Sequence, residues 1–236
     1  MDALRDGLRD VDLWRGLEAS PRGDATGRTH RRALRDQAVA LARGEDLVQP
    51  RAAWRIVPLD SDPGTSGGLC AGGHRLEAPW LLPASGRLTA IACAVATIGD
   101  AIERRVASLF TERRAALALA LDEVANDLLF ALSRRVQDHL LAAVRRQGLT
   151  MAGELRAGDL GLALQEQPAV LALAGAESVG ITLAGTLMMH PAKSTSIVHG
   201  VGHALPAGRR SRCGPRRSRP RCRGARGGRA WAPGRR

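Results

Sequence analysis

Two short segments of this chain carry residue types that could hold a small ligand. The first is Arg156-Ala157-Gly158-Asp159-Leu160-Gly161. A planar guanidinium such as that of Arg156 can take a ligand's carboxylate through two parallel hydrogen bonds. Gly158 and Gly161 permit positive φ and close backbone approach on either side, and Asp159 can accept from an amine or a ribose hydroxyl. The same residues also read as a polar turn between two helices. The second segment is Met188-Met189-His190-Pro191-Ala192-Lys193-Ser194-Thr195-Ser196. Pro191 cannot donate a ladder hydrogen bond, so strand pairing must lapse around it. Unpaired backbone groups then gather beside the hydroxyls of Ser194, Thr195 and Ser196, while Met188 and Met189 suit core or pocket lining. Lys193, the only lysine, stands in that turn, where it either meets an anionic group or is solvated.

The elements that must position these residues follow from periodicity. Val179, Ile181 and Leu183 alternate with Gly180, Thr182 and Ala184, which predicts a strand over Val179–Leu183 leading into the proline corner, and Ile197 and Val198 begin a second strand after it. Ala52–Leu59, Leu76–Leu82 and Leu88–Val95 read as further strands, with Pro79 and Pro83 putting the middle one at an edge. The glycines between Gly64 and Gly73 mark a loop or hairpin; without GxGxxG or a Walker lysine they do not read as a phosphate cradle. From Asp100 the period changes. Ile102, Val106, Leu109 and Phe110 paint one face of a helix, and Leu117, Leu121, Val124, Leu128, Leu132, Val136, Leu140 and Val144 continue on a longer one that Gly148 stops. Asp122, Glu123, Asn126 and Asp127 form either a solvated side of that helix or a complement to a sulfonium cation. Gln167-Pro168 reads as the start of a short helix ended by Gly175. Strand and helix runs are partly segregated, so the fold class expected is α+β: a twisted, mostly antiparallel sheet with a long packed helix, shorter helices and flexible ends.

Taken together, these segments are similar to a known family. The spacing Met189, Pro191, Ser194, Ser196 after a Gly-Ile-Thr-Leu strand resembles the activation (S-adenosylmethionine-binding) domain of vitamin B12-dependent methionine synthase and its short stand-alone forms. Ala96-Thr97-Ile98-Gly99 followed by Glu103 looks like that family's Thr-x-Gly-x-x-x-Glu helix start, and Leu121, Asp122 and Asn126 fit its long helix. Arg156 to Gly161 occupies the place of its Arg-x-x-Pro-Gly-Tyr loop, with the Pro and Tyr missing. The likeness spans about residues 45 to 203, and order and spacing carry it. It implies S-adenosylmethionine as ligand, held by Arg156, Gly158, Asp159, Gly161, Met189, Pro191, Lys193, Ser194 and Ser196. It also implies a cobalamin carried by a partner, either a corrinoid protein or a methionine synthase module, and leaves room for a reductase or flavodoxin-like electron donor. In such a system the chain is an accessory to methyl transfer in methionine biosynthesis; the cofactor does the chemistry and the protein supplies binding and orientation. No Ser-His-Asp arrangement, paired-carboxylate site or metalloenzyme motif is present. His190, His199 and His203 lack the i, i+4 spacing or carboxylate company of a metal site, so no metal is expected.

Composition frames this domain. The 236 residues carry a formal charge of +12, but twelve arginines lie after residue 208 with no acid among them. Without these, the remaining 23 basic residues equal the 23 acidic ones. Basicity therefore describes the tail, not the body. Residues 206–236, almost wholly Arg, Gly, Pro, Ser, Ala and Cys, bury too little apolar surface to order and are expected to be disordered. Three readings stand: an RNA-binding or scaffolding tail, a tail that binds nothing, and an out-of-frame translation of GC-rich DNA, since the chain has one Lys, no Tyr and one Asn. A family member that keeps the fold without the ligand is a further alternative. Residues 1–45 read as a polar, partly helical arm and 46–205 as the domain. Cys70, Cys93, Cys213 and Cys222 show no Cys-x-x-Cys spacing, and the charged Met1–Asp12 is no signal peptide, so a reducing cytoplasm is the expected home. No uncharged apolar run reaches the roughly 18 residues of a membrane helix.

Overall fold

A computed structural model describes residues 2–4, 13–14, 25–63 and 68–206. Its centre is an antiparallel sheet of strands β1 (Asp2–Leu4), β2 (Arg51–Pro58), β5 (Arg87–Thr97), β9 (Ser194–His203) and β6 (Thr150–Leu155), in the order β1-β2-β5-β9-β6. The fold is α+β, as expected. β5 is buried on both faces, and alternation sorts its side chains cleanly. Ala90, Ala92, Ala94 and Ala96 face a layer of helices, whereas Ile91, Cys93 and Val95 face a second core. Small alanines on the helix side let a helix backbone approach the sheet closely, while the larger residues fill the other side.

The helix layer contains α1 (Ala25–Gly44), α2 (Ala101–Thr111) and α3 (Ala115–Arg146). The 32 residues of α3 span about 48 Å at 1.5 Å per residue. Its stripe of Leu121, Val124, Leu128, Leu132, Val136, Leu140 and Val144 is fully or almost fully buried, as the periodicity predicts. Within residues 1–45, expected as a polar, partly helical arm, Ala38 and Ala42 of α1 are buried in the same core as α3, with Leu13 and Trp14. Arg35 of α1 meets Asp127 of α3 at 2.8 Å, and the Arg43 guanidinium lies 4.8 Å from the Trp14 ring centroid. Arg35 and Arg43 thus flank the contact made by Ala38 and Ala42.

On the opposite face lie the hairpin of β3 (Gly68–Ala71) and β4 (His74–Glu77), α4 (Gln167–Ala174) and a short ladder of β7 (Thr182–Leu183) with β8 (Met189–His190). Two strand expectations change here. Leu76–Leu82 is strand only to Glu77; Pro79 then opens a 3-10 turn over Pro79–Leu81, where its fixed φ and missing N–H cost nothing. Val179–Leu183 is likewise not one strand. Ala176–Val179 forms a 3-10 turn and Gly180, at φ 74°, redirects the chain, so only Thr182–Leu183 pairs. Val179 and Ile181 are each 1% exposed, so the apolar alternation marks burial on either side of a turn. The tail expected to be disordered falls, from residue 207 on, outside the described residues. Among the described residues no helix is long and apolar enough to cross a membrane.

Candidate functional site

The proline corner sits where β9 begins, and several separate elements fix its backbone. The His190–Pro191 peptide is cis, and Pro191 is buried. Ser194 Oγ donates to the Pro191 carbonyl at 2.6 Å. Glu103, at the head of α2, accepts the Lys193 backbone N–H at 2.6 Å. The Lys193 carbonyl accepts from Ile98 N–H at 3.2 Å and Thr97 Oγ at 3.3 Å. The Thr97-Ile98-Gly99 segment and Glu103 therefore act as a clamp on the corner, each satisfying a polar group that Pro191 keeps out of the ladder.

Lys193 also reaches α3. Its ammonium lies 2.6 Å from Asp122 Oδ1 and 2.9 Å from Asn126 Oδ1, and Asn126 donates to Asp122 Oδ2 at 3.2 Å. The side-chain cluster expected either to be solvated or to face a sulfonium thus receives the chain's own lysine, while Asp127 takes Arg35. In this structure Lys193 is a tether between corner and helix.

The Arg156 loop approaches the corner from the β6 side. Asp159 Oδ2 accepts the Arg156 backbone N–H at 3.1 Å, Asp159 N–H donates to the Arg156 carbonyl at 2.8 Å, and Gly158 N–H donates to Leu162 at 2.9 Å. Asp159 therefore closes the loop on itself. Gly158 and Gly161 both have positive φ, at 92° and 91°. At Gly161 a β-carbon would sit 2.6 Å from Trp80 Cγ, so the indole lies against the bare backbone there. The Arg156 guanidinium is held through Nη2 by Glu154 Oε1 at 2.6 Å, with both side chains largely buried. That bond fixes the plane of the fork.

Between loop and corner lies a cleft of about 190 Å³ lined by Arg156, Ala157, Leu164, Gln167, Leu187, Met188, Met189, Ala192, Thr195 and Ser196. Of the nine site residues expected from sequence, Arg156, Met189 and Ser196 meet here. Gly158, Asp159, Gly161, Pro191, Lys193 and Ser194 do not line it; they shape the loop and corner that do. His190 and His203 are exposed and His199 is buried in β9 with Nδ1 against the Gly153 carbonyl, so the three histidines do not converge. Sequence reasoning passed over Gln167. It is 3% exposed, and its Oε1 accepts from Ser196 Oγ at 3.1 Å. Its signal was a carboxamide at the head of a helix, QPAVLALA, that is otherwise without a polar side chain.

Chemically, the cleft offers one guanidinium, a carboxamide, two hydroxyls and a wall of leucine and methionine. This suits a ligand with an anionic end and an apolar or aromatic body. No known family profile matches the sequence, and no curated protein matches it. Among solved structures the fold resembles the crystal structure of the MetH reactivation domain bound to AdoHcy. The TM-score is 0.57 at 11% sequence identity, over 81% of this chain and 70% of that one. At that identity the likeness establishes the α+β fold.

Proposed function

We propose that this protein binds S-adenosylmethionine in the cleft between the Arg156 loop and the proline corner, and presents it to a cobalamin carried by a partner protein. The observation that carries the reading is the convergence of Arg156 with Met189, Thr195 and Ser196 on one cleft, from segments 33 or more residues apart in sequence. The match in fold to a domain solved with AdoHcy bound supports the same ligand class. In this reading Arg156, oriented by Glu154, takes the ligand's carboxylate, and Leu164, Leu187 and Met189 cover its apolar body. When bound, the cobalamin would supply the methyl-accepting cobalt on a corrinoid protein or methionine synthase module; this chain's residues bind and orient the methyl donor.

Calorimetric titration of the full chain with S-adenosylmethionine and S-adenosylhomocysteine tests this. Both should bind, and Arg156→Ala should weaken binding about ten- to a hundredfold, the worth of a charge-assisted bidentate pair. Absence of binding by the unmutated protein would overturn the proposal. The segregation of twelve arginines into the tail favours a second, separate activity, in which the tail binds RNA. Truncation after Pro206 should then remove salt-sensitive RNA binding while leaving adenosylmethionine affinity unchanged.

A further inference from the structure

The proposed function leaves the recognition of the ligand's base unassigned. Gln167 is 97% buried, counting from its 3% exposure, yet it lines the cleft. Among the described residues its carboxamide has one hydrogen bond, in which Oε1 accepts from Ser196 Oγ. The amide Nε2 has no acceptor among the described residues, and the carbonyl oxygen keeps a second lone pair. Gln167 lines the cleft and its amide nitrogen is not one of the fully buried unpaired atoms, so this donor opens to the cleft, where a ligand acceptor can meet it. The surrounding cleft wall is largely Leu164, Leu187, Met188 and Met189, flat or adaptable apolar surface of the kind that covers an aromatic ring, with sulfur available to the ring edge.

Resting on the S-adenosylmethionine reading, we infer that Gln167 is the specificity residue for adenine: Nε2 donates to a ring nitrogen and Oε1 accepts from the neighbouring exocyclic amine. A carboxamide presents a donor and an acceptor side by side, and the adenine edge presents the complementary acceptor and donor. Ser196 holds the carboxamide plane by donating to the same oxygen from outside the fork. The guanidinium of Arg156 then serves the charged end of the ligand and the neutral carboxamide serves the base, a division that matches each group to its partner's charge. With N7 as that ring nitrogen, hypoxanthine presents two acceptors, N7 and the carbonyl oxygen that replaces the amine, and satisfies only half of the fork.

The experiment titrates the full chain with S-adenosylhomocysteine and with S-inosylhomocysteine. The unmutated protein should prefer the adenosyl compound by about tenfold or more, the discrimination expected of one bidentate carboxamide pair. In Gln167→Leu, checked for folding by circular dichroism, that preference should fall to within about twofold, through loss of adenosyl affinity. Ser196→Ala, which frees the carboxamide plane without removing it, should retain part of the preference. Equal affinity of the unmutated protein for both compounds, or an undiminished preference in folded Gln167→Leu, would sink the adenine assignment while the proposed function stands. Binding of neither compound would sink both.

Discussion

Replacing Lys193 with Met tests whether this lysine is a tether or a ligand contact. Its ammonium stands 2.6 Å from Asp122 Oδ1, with side-chain exposures of 15% for the lysine and 41% for the aspartate. At an effective dielectric near 20, unit charges at that distance attract by about 6 kcal/mol before desolvation. The exposure of Asp122 lets water screen the pair, and ordering a four-carbon stem costs entropy. Exposed pairs are worth about 0.2–1 kcal/mol and hydrogen bonds to charged groups about 1.5–3 kcal/mol. A coupling of about 1 kcal/mol is therefore expected. A cycle of Lys193→Met, Asp122→Asn and the double variant, followed by urea unfolding at pH 7, measures it, and added salt should reduce it. The Lys193 backbone keeps its bonds to Glu103 and Ile98 in every variant, so the corner should hold its shape. Adenosylmethionine affinity should then change less than about threefold in Lys193→Met. A drop of tenfold or more with unaltered stability would mean that the ammonium touches the ligand, and the tether argument would be refuted.

Two further outcomes follow from local geometry. Gly161→Ala combines a φ of 91° with a β-carbon 2.6 Å from Trp80 Cγ; it should destabilise the protein by about 2–4 kcal/mol, seen as a lower urea midpoint at constant m. A change below about 0.5 kcal/mol would show that Trp80 simply moves aside. Burial pushes the Cys93 thiol from its usual 9.0 up to about 12. The unfolded chain therefore loses this proton first, so the group's contribution to stability is fully present below pH 9 and is lost as pH rises from 9 to about 12. In a protein carrying Cys70→Ser, Cys213→Ser and Cys222→Ser, iodoacetamide should leave native Cys93 unlabelled at pH 8 and label it in urea. Rapid native labelling would contradict its burial.

The regular elements were legible where one periodicity ran long enough. The stripe Leu117 to Val144 gave α3, and Leu88 to Val95 gave the middle of β5, because burial on a helix or strand imposes a repeat that local sequence must carry. Short or interrupted segments misled. Val179 to Leu183 alternates like a strand, but Gly180 turns the chain between two buried residues. The packing of α1 left little trace in the sequence because it buries Ala38 and Ala42 instead of large side chains. Of the residues that line the cleft, Arg156, Met189 and Ser196 were singled out from sequence, while Gln167 was hidden by its place at a helix head. Lys193 looked available to a ligand because its partners, Asp122 and Asn126, lie 71 and 67 positions away.

The amino-acid sequence alone determined the α+β class, the long helix, the break at Pro191 and the separation of a basic tail from a neutral body. These are properties of local pattern, dihedral restriction and composition, which need no knowledge of neighbours in space. Tertiary structure alone decided which polar groups face one another. The pairing of β5 with β9 and of β9 with β6 brings the 156 loop and the α4 head beside the 189–196 corner, and that alignment sends Lys193 to α3 while leaving the Gln167 amide at the cleft. Hydrogen bonds act over about 3 Å, so whether a side chain recognises a ligand or braces the fold depends on distances that only the folded chain sets.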